Sequence, residues 1–319
     1  MCLKEQVISM QPRYLSLKSF LPWKQVSHPI DWTAQFGRAA PLEVEIGFGN
    51  GAFLVRQAQM YPERNFIGLE LEWASVQRAL RRIAQANVHN VRLLQVDART
   101  AFERFFLPQS LTYVYSLFPC PWPKKRHAKH RLFSHPFLQL LNSRLVPEGE
   151  VQIVTDHYPY LQWVLEQVSD TGFAVHWKQI PPRFDTKYER KWYEQGQEQF
   201  YELRLHKITH LDIPVKEEIR VETYWVECFD PDRFQPVNER QAATVEFKEF
   251  LYDPKRLKGM VRVVVAEENL VQSFWIEIVQ REGRWQIRPA RGCDVVPTLG
   301  VQRALDLVRD AALRPCASE

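Results

Sequence analysis

The stretch Val44–Ala52, with the sequence VEIGFGNGA, decides the fold that we predict for this chain. A short apolar strand, Leu42–Ile46, runs into three closely spaced glycines, Gly47, Gly49 and Gly51, and helical periodicity follows. A strand, a glycine turn and a helix in this order form a nucleotide-sized crevice in α/β proteins, because glycine lets the backbone turn tightly and lets a ligand approach it. The stretch therefore predicts an α/β sheet with a ligand crevice.

Acidic residues mark the strands around this turn. Glu45 lies in the first strand, Glu70 lies near the end of a second strand (66–71), and Asp97 follows a third (91–96). Ligands lie beyond these strand ends in an open parallel sheet, where Glu70 would accept the hydroxyls of a ribose and Asp97 would meet an adenine amino group. Glu45 and the GxGxG spacing disfavour a pyrophosphate, and hence a dehydrogenase. They suit a cationic ligand such as S-adenosylmethionine.

Composition sets the broad class of the protein. The 319 residues are enough for two domains, and 45% of them are hydrophobic. We find no apolar run of transmembrane length and no apolar core of a signal peptide, so we expect a cytoplasmic protein without a membrane partner. The five cysteines are scattered and form no CxxC pair, so neither a disulfide framework nor a metal site is indicated.

Charge is distributed unevenly along the chain. Residues 1–207 hold 26 Lys and Arg against 19 Asp and Glu, whereas residues 208–319 hold 16 against 19. A basic first part indicates a polyanionic partner for that part, such as a nucleic acid.

These patterns predict two domains. Residues 1–207 would form the mostly parallel sheet with an N-terminal arm, including a helix over 132–145 and a polar loop over 183–190. Residues 208–319 would form a small α+β domain with strands over 218–228, 243–252, 260–268 and 271–280 and a helix over Leu299–Leu313. Its acidic balance argues against a main RNA-binding role. Bracing of the first domain, a local RNA patch and dimerisation all stay open for it.

A rigid loop and a basic run follow the predicted fourth strand. Pro119, Pro121 and Pro123 preclude a helix, and the sequence KKRHAKHR occupies residues 124–131. Such a cluster repels itself unless an anion neutralises it. Because the loop lies at the carboxyl end of a strand, we expect the run to bind RNA phosphates beside the crevice.

Five motifs together resemble the bacterial tRNA (guanine-N7-)-methyltransferase family across roughly residues 15–207. In chain order they are EIGFGNG at 45–51, DA at 97–98, PCPWPKKRHAKHR at 119–131, TD at 155–156 and TKYER at 186–190. The resemblance implies a class I methyltransferase sheet, S-adenosylmethionine as methyl donor and a guanine in the variable loop of tRNA as acceptor. It implies a cofactor site at Glu45, Gly47, Gly49, Glu70 and Asp97, and an RNA site at Lys124, Asp156, Thr186, Lys187, Tyr188 and Glu189.

One position departs from that family. Cys120 stands where the family has an aspartate that is usually assigned to the active site, so its catalytic role is in doubt. Asp156 or Glu189 could supply the missing charge, Cys120 could simply fill the loop, and covalent catalysis by its thiol is disfavoured. Rival functions are a tRNA-binding homologue with weak or no turnover and a methyltransferase for another RNA base. The oligomeric state, monomer or homodimer, is not predicted.

Overall fold

The computed structural model describes residues 14–196 and 199–314, apart from the side chains of Lys125, Lys187 and Tyr188. Within these residues the chain forms two compact units. The first contains the segments up to Leu21, Thr33–Ala98 and Gln109–Leu211, and the second contains Pro22–Trp32, Arg99–Pro108 and the residues from Asp212 onward. Two short segments of the N-terminal half thus belong to the second unit, and the domain boundary at 207/208 stays a prediction.

A seven-stranded sheet forms the centre of the described first unit. Its strands are β1 (Leu42–Ile46), β2 (Asn65–Glu70), β3 (Val91–Gln95), β4 (Leu111–Leu117), β5 (Leu145–Thr155), β6 (Phe173–Ile180) and β7 (Phe200–Lys207). Their spatial order is β3-β2-β1-β4-β5-β7-β6, and β7 alone of these seven runs against its neighbours. This mostly parallel sheet confirms the predicted class I methyltransferase fold.

Short helices connect these strands and precede them. They are α1 (Trp32–Phe36), α2 (Ala52–Met60), α3 (Trp73–Ala86), α4 (Ala98–Arg104), α5 (His135–Arg144), α6 (Tyr158–Glu166) and α7 (Lys187–Glu194), with 3₁₀ turns at Trp23–Gln25 and Lys125–His130. The strand β1 is buried along its whole length, and β2 and β4 pair with its two edges. The glycine turn that follows β1 therefore lies near the middle of the edge formed by the carboxyl ends of the strands.

The second unit contains an antiparallel sheet of six described strands and a helix. Its elements are β8 (Tyr224–Val226), β9 (Glu239–Arg240), β10 (Thr244–Asp253), β11 (Lys258–Glu267), β12 (Leu270–Arg281), β13 (Arg284–Pro289) and α8 (Leu299–Leu313). The spatial order is β8-β13-β12-β11-β10-β9. Alternate residues of the long strands pack with the apolar side of α8 in one core, as the sequence pattern predicts for an α+β unit.

Three elements differ from the sequence-based prediction. The helix expected over 132–145 is shorter, because β5 already begins at Leu145, which pairs with Leu111 before the register of β5 shifts. Residues 187–194 form a helix where a loop was predicted. In the second unit only Tyr224–Val226 of the strand expected over 218–228 is extended and paired.

One disulfide departs from the sequence-based prediction. Cys228 is disulfide-bonded, whereas the sequence indicated no disulfide, because spacing along the chain does not reveal which cysteines meet in space. Cys120 and Cys293 are free. No helix within residues 14–196 and 199–314 is long and apolar enough to cross a membrane.

Gly51 tests the packing of the glycine turn. Its φ is +71°, and a Cβ on it would lie 2.7 Å from Cβ of Ala79 in α3. Gly51→Ala should lower the free energy of unfolding by backbone strain of about 1–2 kcal/mol and by a further 1–3 kcal/mol, roughly, from the clash. Gly37→Ala is the matched control, because Gly37 has the same φ and open space around it. Urea unfolding of both variants checks this, and equal losses would contradict the close packing of α2 against α3.

Candidate active site

The carboxyl ends of β3, β2 and β1 lie side by side and bring the predicted cofactor residues to one edge of the sheet. Glu45 lies in β1 two residues before Gly47, Glu70 ends β2, and Asp97 follows β3 directly before α4. The sheet order thus gathers all three acidic residues that the sequence assigned to a cofactor.

The glycine turn leaves space for a ligand. Gly47 and Gly49 have φ values of +72° and +57°, and no atom lies within 4 Å of the position that a Cβ would take on either residue. The N–H of Gly47 donates to the carbonyl of Leu69 (2.8 Å), which fixes the turn to β2. The backbone here is both anchored and open, as close approach of a ligand requires.

Glu70 shapes the same turn with its carboxylate. One oxygen accepts from the N–H of Gly49 (3.0 Å), and the other accepts from the N–H groups of Leu71 (2.8 Å) and Glu72 (3.2 Å). The side chain is half-buried, so part of it stays accessible to a ligand. Glu70 therefore holds the glycine turn in addition to the ribose-binding role predicted for it.

Glu45 is the electrostatically unusual group of the site. Its side chain is 3% exposed, and its Oε2 atom accepts no hydrogen bond from the described chain. Burial raises the pKa of the Glu45 carboxyl to about 8; the charge of Glu70 adds to the rise, and the charge of Arg56 opposes it. A cation placed beside Glu45 would offset the electrostatic cost of a buried negative charge.

The block Thr186–Arg190 forms the start of α7. The Thr186 hydroxyl accepts from the N–H of Glu189 (3.1 Å). The Glu189 carboxylate accepts from the backbone N–H groups of Arg183 (2.7 Å), Phe184 (3.1 Å) and Asp185. Sequence reasoning missed this helix although Thr186-x-x-Glu189 is a capping-box pattern. Glu189 is 2% exposed and holds the loop 183–185, so direct contact with a substrate stays a prediction for it.

Arg56 connects the loop 183–185 to the cofactor side of the sheet. From α2 its guanidinium donates to the carbonyl of Phe184, and the ring of Phe53, one turn earlier, meets the ring of Phe184 edge-on with centroids 5.9 Å apart. The same guanidinium acts on the charge of Glu45. Nothing in the sequence pattern singled out Arg56, because an arginine in an amphipathic helix is usually solvated.

Internal contacts hold the proline loop after β4. The Arg131 guanidinium donates to the carbonyls of Pro121 (3.0 Å) and Trp122 (3.2 Å) and lies 5.0 Å from the ring centre of Trp163. Arg131 is therefore a brace of the loop, whereas Lys124 and the free thiol of Cys120 are exposed. The loop thus presents both residues at the carboxyl end of β4, as predicted.

Asp156 follows β5 at the same edge of the sheet. Its side chain is half-buried and forms no hydrogen bond or ion pair within the described chain. Its neighbour His157 caps α6 by accepting from the N–H of Tyr160 (3.1 Å). Asp156 and Glu189 thus differ: the first has an unengaged carboxylate, and the second does not.

Comparison with known proteins identifies the family. A family model described as a putative methyltransferase matches residues 39–202. The tRNA (guanine-N(7)-)-methyltransferase of Thermotoga maritima is 32% identical over 287 residues, which are 87% of this chain and 91% of that relative. The chain belongs to the tRNA (guanine-N(7)-)-methyltransferase family. The family member of Chlorobium phaeobacteroides is 48% identical over 174 residues, 54% of this chain and 85% of that relative.

The second unit is shared with some members of the family. The Aquifex aeolicus enzyme is 30% identical over 298 residues, 91% of this chain and 97% of the relative. That match and the T. maritima match extend well past residue 207, so the sequence resemblance, drawn to end at residue 207, was too short. The C. phaeobacteroides relative is too short to hold counterparts of both units. Most of residues 208–319 therefore have no counterpart in that relative.

S-adenosylmethionine is the cofactor of this methyltransferase, and the residues present fit it. The buried Glu45 oxygen, which has no donor within residues 14–196 and 199–314, and the open space at Gly47 and Gly49 suit a ligand that is cationic and lacks phosphate. We expect Glu45, Glu70 and Asp97 to hold it.

The pKa of Glu45 predicts how stability changes with pH. Because the folded pKa of about 8 lies above the ordinary value of 4.5, the stability of the cofactor-free protein should fall as the pH rises from 5 to 8. Glu45→Gln removes this titration. The free energy of unfolding of the variant, relative to that of the wild type, should therefore rise by on the order of 1 kcal/mol per pH unit in that window. Urea unfolding across pH 5–9 measures the difference, and a pH-independent difference would contradict a neutral buried Glu45.

The three hydrogen bonds to Glu189 predict local protection from hydrogen exchange. Glu189→Gln replaces one accepting oxygen by a donor and removes the charge, so exchange of the amides of residues 183–185 should speed up about tenfold or more. Glu194→Gln, at the exposed end of the same helix, is the control and should leave those amides unchanged. Equal exchange in wild type and Glu189→Gln would show that the carboxylate does not hold the loop.

Proposed function

We propose that this chain transfers the methyl group of S-adenosylmethionine to N7 of a guanine in tRNA, in the variable loop. The observation that carries the proposal is the buried carboxylate of Glu45, whose Oε2 atom has no hydrogen-bond donor in the described chain, beside an open glycine turn in a chain of the tRNA (guanine-N(7)-)-methyltransferase family. When bound, S-adenosylmethionine supplies an electrophilic methyl group on a positively charged sulfur.

The acceptor determines what the protein must do. N7 of guanine carries a lone pair and no proton, so no general base has to expose the nucleophile. The protein contributes placement. The guanine nitrogen has to lie in line with the methyl carbon and the sulfur, with roughly 3–3.5 Å between the nitrogen and the methyl carbon before transfer. Glu45, Glu70 and Asp97 fix the donor side. The proline loop after β4 and the block 186–189 fix the guanine.

Positive charge develops on the guanine ring during transfer, and a carboxylate near the ring would stabilise it. Cys120 replaces the family aspartate, and a thiol is a weak hydrogen-bonding group. Of the two candidates to replace that charge, Asp156 has a carboxylate without a partner among the described residues, at the same sheet edge, whereas Glu189 holds three amides. We assign the compensating charge to Asp156, and Cys120 to filling the loop.

The RNA side of the site is basic. Lys124, Arg126 and Lys129 are exposed around the 3₁₀ turn that follows the proline loop. Their charges suit tRNA phosphates, and Thr186, Lys187, Tyr188 and Asp156 complete the proposed RNA contacts. We place the enzyme in the cytoplasm, as a monomer or homodimer, with methyltransferase residues 1–207 and an accessory domain at 208–319.

A labelled-methyl assay tests the function. Incubation with labelled S-adenosylmethionine and unmodified tRNA should label one variable-loop guanine, and cleavage of the product at N7-methylguanine should locate it there. Binding of cofactor and tRNA without transfer would favour the rival function of a tRNA-binding homologue. Label on another base would favour a different RNA specificity.

Lys124 tests the RNA-phosphate role of the basic run. Lys124→Ala should raise the dissociation constant for tRNA about fivefold at physiological salt, because one phosphate contact is lost. Affinity for S-adenosylmethionine should not change. Lys18→Ala is the control, because Lys18 is also an exposed lysine of the first unit. Equal tRNA affinity of wild type and Lys124→Ala, measured by filter binding, would remove Lys124 from the RNA site.

Substitutions of Cys120 test whether a carboxylate at this position speeds methyl transfer. Cys120→Asp should raise the single-turnover rate, but by less than the order of 10²-fold that an uncompensated transition-state contact contributes, because Asp156 already supplies a carboxylate. Cys120→Ser, which is similar in size and carries no charge, should leave the rate within about threefold of wild type. A lower rate for Cys120→Asp would mean that the site depends on the cysteine.

A further inference from the structure

Basic residues cluster on one side of four strands of the sheet in the second unit. On β8, β11, β12 and β13, alternate residues such as Val226, Val263, Ile276 and Ile287 enter the core that α8 covers. The residues between them lie on the other side of the sheet. There they include Trp225, Lys258, Arg262, Arg281, Arg284 and Arg288, which we call the basic tryptophan face.

One carboxylate, Glu277, lies among these five cations on the four strands, and two of the cations neutralise it. Glu277 is 3% exposed and pairs with Lys258 (2.7 Å) and with Arg288. Burial alone would raise the pKa of Glu277, but these two partners hold it below its usual value. Arg262 pairs with Glu249 of β10 (3.5 Å), so the excess of positive charge on these four strands lies at Arg281 and Arg284.

Two arginines of the face have no carboxylate partner in the described chain. Arg281 and Arg284 oppose each other at the end of the β12–β13 hairpin, and both are exposed. Arg284 also lies over the ring of Trp225, with 5.2 Å between its guanidinium carbon and the ring centroid. Two like charges placed face to face are destabilising unless an anion binds them.

Trp225 gives the face an exposed aromatic surface. Its side chain is 42% exposed on β8, at the edge of the sheet. Its neighbours Tyr224 and Val226 are fixed on the core side, since the Tyr224 hydroxyl donates to Asp306 of α8 (2.6 Å) and Val226 is buried. Trp225 is thus held on a rigid strand with its ring outside the core.

The chemistry that matches this surface has phosphates and unstacked bases. Proteins bind unpaired RNA by stacking bases on exposed aromatic rings and by placing arginine or lysine at the phosphates. An acidic protein segment would satisfy the arginines but would not need an exposed tryptophan beside Arg284. The outward residues of β10 are acidic at Glu246, Glu249 and Asp253, so the complementary surface ends at β11.

We propose that the basic tryptophan face binds an unpaired segment of the tRNA substrate, with a base on Trp225 and phosphates at Arg281 and Arg284. The identity of this RNA as substrate rests on the proposed function. The acidic average of residues 208–319 argued against RNA binding by this domain, but an average over sequence does not show which side of a sheet each charge occupies.

The test uses the full-length protein and unmodified tRNA. The charge variant is Arg281→Glu with Arg284→Glu, and the stacking variants are Trp225→Ala and Trp225→Phe. The matched control is Arg256→Glu, since Arg256 is 82% exposed in the hairpin between β10 and β11. For each protein we would measure the dissociation constant for tRNA from 50 to 200 mM salt, the affinity for S-adenosylmethionine, kcat and thermal unfolding.

The proposal predicts selective losses of tRNA affinity. The charge variant should bind tRNA at least about tenfold more weakly and flatten the slope of log K against log salt by about 1.5. Trp225→Ala should weaken binding by about fivefold or more, and Trp225→Phe should stay within about threefold of wild type. Cofactor affinity, kcat at saturating tRNA and the unfolding temperature should match those of Arg256→Glu.

Three results would overturn the proposal. They are unchanged tRNA affinity in the Arg281/Arg284 and Trp225 variants, an equal loss in Arg256→Glu, and loss of a dimer in place of loss of tRNA affinity. The proposed function can fail separately: a wild type that binds tRNA without transferring methyl would refute that function, while the affinity comparison would still decide the role of the face.

Discussion

A buried carboxylate in the central strand is the constraint on which the rest of the first unit depends. Glu45 sits in β1 between Gly68 of β2 and Tyr115 of β4, so it has no route to solvent along the sheet. Gly68 has no room for a side chain, since a Cβ there would lie 2.6 Å from the ring of Phe48. This packing leaves Glu45 with one unpaired oxygen and a raised pKa, which a cationic ligand beside the open glycine turn would correct.

The site separates residues that shape the backbone from residues that remain accessible. Glu70 holds the glycine turn, Glu189 holds the loop 183–185, and Arg131 braces the proline loop. Arg56 links the first two regions, because it acts on Glu45 and donates to Phe184. The accessible groups include Lys124 and Cys120, which lie in or next to the loop that Arg131 braces, and Asp156, which follows β5.

The strands of the first unit follow from apolar runs, and the cofactor residues follow from acids and glycines at their ends, so both were predictable from sequence. The helix α7 was missed because its charged residues conceal periodicity, although Thr186 and Glu189 form a capping pattern. The internal role of Glu189 depends on how the loop 183–185 folds back, which no local pattern encodes. The basic tryptophan face depends on strand register, since it gathers residues from four separate strands.

The central claim is that a cation binding beside Glu45 drives its deprotonation. Calorimetric titration with S-adenosylmethionine at pH 7, in buffers with different ionisation enthalpies, counts the protons exchanged on binding. The account predicts that the wild type releases close to one proton more than Glu45→Gln does. Equal proton counts for the two proteins, with cofactor bound in both, would show that Glu45 does not meet the cofactor's charge.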